Sequence, residues 1–115
     1  MRKLPTDQDR QWSRQAPHYD ELFLDPYGSR VENPLWDALE RVDDARHKTV
    51  ADLGCGTGPL LPTLIERFDQ VIALDFAAGM IKHAKTRLGP ELEDRVRFLN
   101  RPMHELEDIA GQLDV

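Results

Sequence analysis

Three glycines in five positions, Gly54, Gly56 and Gly58, stand between a short apolar run and a helical pattern. Glycine lets a backbone turn tightly and approach a ligand with no Cβ in the way. The helix that follows offers unpaired N–H groups and a partial positive charge, suited to a carboxylate or phosphate. Two acids flank this loop. Asp52 precedes it, and Asp75 closes the next apolar run, Gln70 to Asp75. A carboxylate at the end of a strand beside such a loop can accept hydrogen bonds from both hydroxyls of a ribose. Taken alone, Asp75 would read as a solvated strand end or a helix N-cap.

The spacing narrows the ligand. The dinucleotide fingerprint G-x-G-x-x-G needs a third glycine where this chain has Pro59 or, counted from Gly56, Leu61. No G-x-x-x-x-G-K-[ST] run is present, which excludes a P-loop nucleotidase. Cys55 between two glycines invites a nucleophile reading, but no histidine is near it in sequence. Among the histidines, His104 is the best placed to reach a site, and a solvated role is the simpler one for it. His18, His47 and His83 lack partners at ligand spacing. No metal site is expected, and no catalytic residue can be named.

The elements that must position these groups follow from periodicity. Residues 1–30 are polar and irregular, with Trp12, Ala16, Tyr19, Leu22 and Phe23 at helical spacings broken by Pro17. Asn33 and Pro34 then suit the N-cap and first position of a helix running to about residue 43. Thr49–Leu53 reads as a strand, and Pro59–Phe68 as a helix burying Leu60, Leu61, Leu64, Ile65 and Phe68. Gln70–Asp75 is a second strand. A helix follows, carrying Ala77, Met80, Ile81, Ala84 and Leu88 and stopped at Gly89-Pro90. Arg95–Leu99 alternates as a third strand, Glu91–Asp94 reads as loop, Glu105–Gln112 as a helix, and Leu113–Val115 as the opening of a fourth strand.

Strands alternating with helices imply an α/β fold, a parallel sheet with helices on both faces, built by right-handed crossovers. Ligands of such sheets sit at the carboxyl ends of the strands. That rule puts Asp52 to Gly58, Asp75, and Asn100 to His104 on one rim.

Val50-Ala51-Asp52-Leu53-Gly54-Cys55-Gly56-Thr57-Gly58 resembles the first motif, D-x-G-x-G-x-G, of class I S-adenosylmethionine-dependent methyltransferases. Val71 to Asp75, followed by Met80, Ile81 and Ala84, resembles the segment that comes next in that family. Both match in order and spacing over roughly residues 49–88. The resemblance implies a Rossmann-like sheet and S-adenosyl-L-methionine as cofactor. It implies that Asp52 holds the ammonium of the methionine part. The loop Gly54, Cys55, Gly56, Thr57 and Gly58 would approach that part and the ribose. Asp75 would take the ribose hydroxyls, Phe76 and Met80 would pack near the adenine, and Met103 would lie beside them. The family's acid after the third strand is replaced by Pro102, which leaves a backbone contact or a neighbour such as Asn100 or His104 to meet the adenine amino group. Tyr19, in a run resembling the family's helical lid, would either face the sulfonium or pack as a half-buried aromatic. An aromatic ring stabilises such a charge by about 0.5–2 kcal/mol.

The family's sheet has seven strands, and this chain supplies three and the start of a fourth. The expectation is therefore an amino-terminal portion, inactive as this fragment, with residues 1–47 as a lid or cap and 48–115 as a partial cofactor-binding domain. The fourth strand should pair with the first, whose edge is otherwise open to self-association. A non-catalytic interaction module pairing through that edge is the alternative reading.

Composition bounds the rest. The 115 residues are 40% hydrophobic and 31% charged, which excludes a disordered or fibrous chain. No apolar run approaches the ~18 residues of a membrane span. The start has no apolar stretch behind its basic residues, unlike a secretory signal. A single cysteine forms no internal disulfide framework, so a reducing, cytoplasmic setting is expected. A net charge of −6 disfavours nucleic acid or anionic lipid as partner and favours a small-molecule acceptor.

Overall fold

The computed structural model describes residues 10, 11, 13, 14 and 34–115, with residues 10, 11, 13 and 14 helical. From Pro34 the order is α1 (Pro34–Glu40), a 3-10 turn (Ala45–His47), β1 (Thr49–Leu53), α2 (Leu61–Arg67), β2 (Gln70–Asp75), α3 (Ala78–Leu88), α4 (Pro90–Glu93), β3 (Val96–Asn100) and a 3-10 turn (Ala110–Gln112). The three strands form one parallel sheet in the order β1-β2-β3. Register runs from Thr49↔Gln70 to Leu53↔Leu74 on one side of β2, and from Val71↔Val96 to Asp75↔Asn100 on the other.

Alternation along β2 sorts the core. Val71 and Ala73 share a cluster with Val50, Val96, and Leu61, Leu64 and Ile65 of α2. Ala84 of α3 joins the same cluster. Two successive right-handed crossovers stepping the same way across a sheet leave their helices on one face, and that is how α2 and α3 come to share this cluster. Ile72 and Leu74, on the opposite face of β2, are buried as well. Fully burying leucines such as Leu61, Leu64 and Leu74 stabilises the fold by about 2 kcal/mol each.

At the free side of β1, the Val115 N–H donates to the Thr49 carbonyl at 3.2 Å and the Ala51 N–H donates to the Val115 carbonyl at 3.0 Å. That pair of bonds is the parallel bridge pattern, so Val115 sits opposite Val50. The Asp114 carboxylate accepts from the Thr49 N–H at 2.8 Å. Asp114 and Val115 thus lie along β1 as the opening of a fourth strand would, while Leu113 closes the preceding 3-10 turn and 113–115 form no assigned strand. Leu53 at the other end of β1 is 41% exposed.

Some local expectations fail. Glu105–Gln112 is not a helix: only Ala110–Gln112 forms a 3-10 turn. The Arg101 guanidinium binds the Asp108 carboxylate and the Glu105 carbonyl, holding the segment against the end of β3. Ile109, fully buried, anchors it as an irregular loop. Conversely, Pro90–Glu93 is a helical turn rather than loop. Gly89 ends α3 at φ 83°, and Pro90 restarts a helix at its first position, where a missing N–H costs nothing. α1 stops at Glu40, short of residue 43, and the expected cap Asn33 lies outside the described residues.

Candidate functional site

The carboxyl ends of β1, β2 and β3 deliver Asp52, Asp75 and Asn100 to one rim. The loop after β1 is pinned there by the Gly54 and Cys55 N–H groups, which both donate to the Leu74 carbonyl at 2.7 and 3.0 Å. Gly54, Gly56 and Gly58 have φ of 78°, 57° and 80°, left-handed conformations that other residues adopt only with strain.

The three glycines do different work. A Cβ on Gly58 would lie 2.9 Å from Leu61 Cδ1 and 3.1 Å from Ala84 Cβ, so Gly58 lets α2 and α3 close on the loop. A Cβ on Gly54 would meet Met103 Sδ at 3.4 Å, which sets the 53% exposed Met103 over the start of the loop. A Cβ on Gly56 would meet nothing within 4 Å, so the space beside the middle glycine is open.

Asp75 joins loop to sheet. Its Oδ2 accepts the Gly56 N–H at 2.9 Å and its Oδ1 accepts the Ala77 N–H at 2.9 Å. It thereby caps the entry to α3, whose preceding residue Ala77 has no capping side chain of its own. The carboxylate is 6% exposed. Each oxygen has a second lone pair for another donor.

Asp52 differs. It is half-buried, and no cation faces its carboxylate among the described residues. Burial first, and the negative charge of Asp75 second, push its carboxyl up to about 6.

Phe76, Ala77 and Met80 form a small apolar cluster of their own at the start of α3, apart from the main core. The Cys55 thiol is buried in the main core, where burial above all raises its pKa strongly, so it is no nucleophile. The Thr57 side chain is fully buried too. For both residues only the backbone remains to meet a ligand. Tyr19 lies outside the described residues. His104 is exposed. Among the described residues no cluster of His, Cys, Asp or Glu could hold a metal ion, and no helix is long and apolar enough to cross a membrane.

Two contacts carried no sequence signal. Asn100 Nδ2 donates to the carbonyls of Asp75 and Phe76, each at 3.0 Å. Ser13 Oγ accepts the Gly79 N–H at 3.0 Å, bringing the amino-terminal helical segment onto the first turn of α3. A Cβ on Gly79 would fall 2.5 Å from the Ser13 backbone. Contacts spanning 24, 25 and 66 residues leave no periodic trace.

A cavity of about 660 Å³ lies elsewhere, between α1, the Ala45–His47 turn and α2. Trp36, Leu39, Val42, Arg46 and Arg67 line it, and none of the rim residues does.

Residues 50–115 match the methyltransferase domain family. The chain is 33% identical over 98 residues to malonyl-[acyl-carrier protein] O-methyltransferase of Acetivibrio thermocellus, covering 84% of this chain and 32% of the relative. It is 33% identical over 89 residues to demethylmenaquinone methyltransferase of Lactococcus lactis, covering 73% and 35%. A solved DhpI–SAH complex superposes with a TM-score of 0.58 at 30% identity over 82% of this chain and 43% of that one. The chain thus spans about a third of the length of these curated relatives. A glycine loop tied to a strand-end acid, on a parallel sheet of this order, with these likenesses, means that the chain belongs to the class I S-adenosylmethionine-dependent methyltransferase family.

Proposed function

We propose that this chain holds S-adenosyl-L-methionine as the cofactor-binding portion of a methyltransferase acting on a small-molecule acceptor. The observation that carries the reading is the 2.9 Å bond from the Gly56 N–H to Asp75 Oδ2, which makes the glycine loop and the strand-two acid one site. The residues fit the cofactor's three parts. Asp52, which no cation faces among the described residues, suits the ammonium of the methionine moiety. Open space beside Gly56 admits the ribose, whose hydroxyls can reach the remaining lone pairs of Asp75. Phe76 and Met80 provide an apolar surface for the adenine, with Met103 exposed beyond Gly54.

When bound, the cofactor supplies an electrophilic methyl group on a sulfonium. The chain's own contribution is alignment: Asp52 holds the methionine end and Asp75 the ribose, with the loop backbone between them. No general base for the acceptor is assigned to these residues. Relatives are named for demethylmenaquinone and trans-aconitate, and another for a malonyl group carried on acyl-carrier protein. Those names, with the net charge of −6, favour a small acceptor group over nucleic acid. On this reading residues 1–47 would serve as the cap of a partial cofactor domain, 48–115, and the described Ser13 rests on Gly79 at the first turn of α3. Self-association through β1 is disfavoured by Val115 lying along that edge.

Calorimetric titration of S-adenosylhomocysteine into the wild type and Asp75→Ala tests the reading. Loss of two ribose bonds lowers affinity on the order of a hundredfold. An affinity unchanged by Asp75→Ala removes Asp75 from the site.

A further inference from the structure

We propose that Asn100 is a positioning residue, fixing the Asp75–Phe76 backbone so that the Asp75 carboxylate meets the ligand's ribose in one orientation; this rests on the cofactor reading above. Asn100 is the register partner of Asp75 at the last rung between β2 and β3. Its side-chain nitrogen carries two hydrogens, and both are committed, one to the Asp75 carbonyl and one to the Phe76 carbonyl, each at 3.0 Å. Two carbonyl oxygens accept only from a donor, so the amide can stand in one orientation alone. The Arg101 N–H adds a third bond, to the Asp75 carbonyl at 3.1 Å.

These bonds act where the chain leaves β2 and turns into α3. Asp75 is a short side chain with two rotatable bonds, so the position of its carboxylate follows the backbone that carries it. The carboxylate is held from one side by the Gly56 and Ala77 N–H groups, and the peptides beside it are held from the other side by Asn100. Removing the clamp takes away two of these three bonds, leaves the Asp75 carbonyl on the Arg101 N–H, and loosens the turn without touching the ligand itself. The loss should therefore fall on the ribose contact and spare the ammonium contact, while a shift of Phe76 against the adenine weakens hydroxylated and deoxy ligands alike.

The test compares S-adenosylhomocysteine with its 2′-deoxy analogue by calorimetry on the full chain, as wild type, Asn100→Ala and Asn100→Ser. The wild type should prefer the hydroxylated ligand by about tenfold, one charge-assisted bond. Asn100→Ala should reduce that preference to about twofold or less, and Asn100→Ser, which keeps one donor, should lie between. Thermal unfolding of each variant separates a clamp from a mere prop, since general destabilisation weakens both ligands alike and leaves their ratio unchanged. An unchanged ratio in folded Asn100→Ala or Asn100→Ser overturns the proposal while leaving the cofactor reading intact. A wild type that binds neither ligand, or both equally, overturns both.

Discussion

Asp52 makes the fold pay a pH-dependent penalty that a ligand should relieve. Its carboxyl is raised from 3.8 to about 6, chiefly by burial. An acid whose folded pKa is raised contributes stability that is fully present below the unfolded value and is lost as pH rises through the folded one. At 1.36 kcal/mol per unit, the roughly two-unit rise makes the Asp52 contribution at pH 7.5 about 3 kcal/mol less favourable than at pH 3. Asp52→Asn keeps the shape and removes the charge. The variant should therefore be more stable than wild type at pH 7.5, with the difference shrinking below pH 6. Urea unfolding followed by circular dichroism at pH 5 and 7.5 reads this directly, and other titrating groups cancel in the comparison. The ligand reverses the sign. An ammonium beside Asp52 favours the ionised acid, so S-adenosylhomocysteine should bind about tenfold more tightly at pH 7 than at pH 5 in wild type and lose that dependence in Asp52→Asn. Equal stability of the two proteins at pH 7.5, with a flat pH dependence of binding, would refute the reasoning.

Other expectations are simpler. Gly58→Ala combines φ 80° with a Cβ 2.9 Å from Leu61, and should lower unfolding free energy by roughly 2–4 kcal/mol in denaturant titration. Cys55 should resist a thiol reagent in the native chain and react once at full rate in denaturant, since its thiol lies in the core. Gly79→Ala forces a Cβ into the Ser13 backbone. It should speed proteolysis of the amino-terminal segment while leaving hydrogen exchange in β2 unchanged.

The sheet was legible because its strands are short apolar runs closed by an acid or a glycine. The runs ending at Leu53 and Asp75 coincide with β1 and β2, and β3 is displaced by a single residue. The rim followed from parallel topology, which carries the ends of successive strands to one side. Glu105–Gln112 misled because Leu106 and Ile109 have helical spacing, yet the segment's course is set by Arg101 reaching Asp108. Pro90–Glu93 was hidden by the same Gly89-Pro90 pair that marked the end of α3, since a proline that stops one helix can start another. The backbone contacts of Asn100 and Ser13 depend on tertiary closure, which no local pattern encodes. Residue types also conceal which atoms are exposed. Cys55 and Thr57 sit inside the loop motif, yet their side chains are buried.

The most direct test of the central claim is an amide NMR titration of the full chain with S-adenosylhomocysteine. Resonances of Asp52, Gly54 to Gly58, Asp75 to Ala77 and Met103 should shift together and saturate at one affinity. The amides lining the 660 Å³ cavity between α1 and α2 should stay still. Shifts centred on Trp36, Val42 and Arg67, or none anywhere on a folded spectrum, would contradict the account.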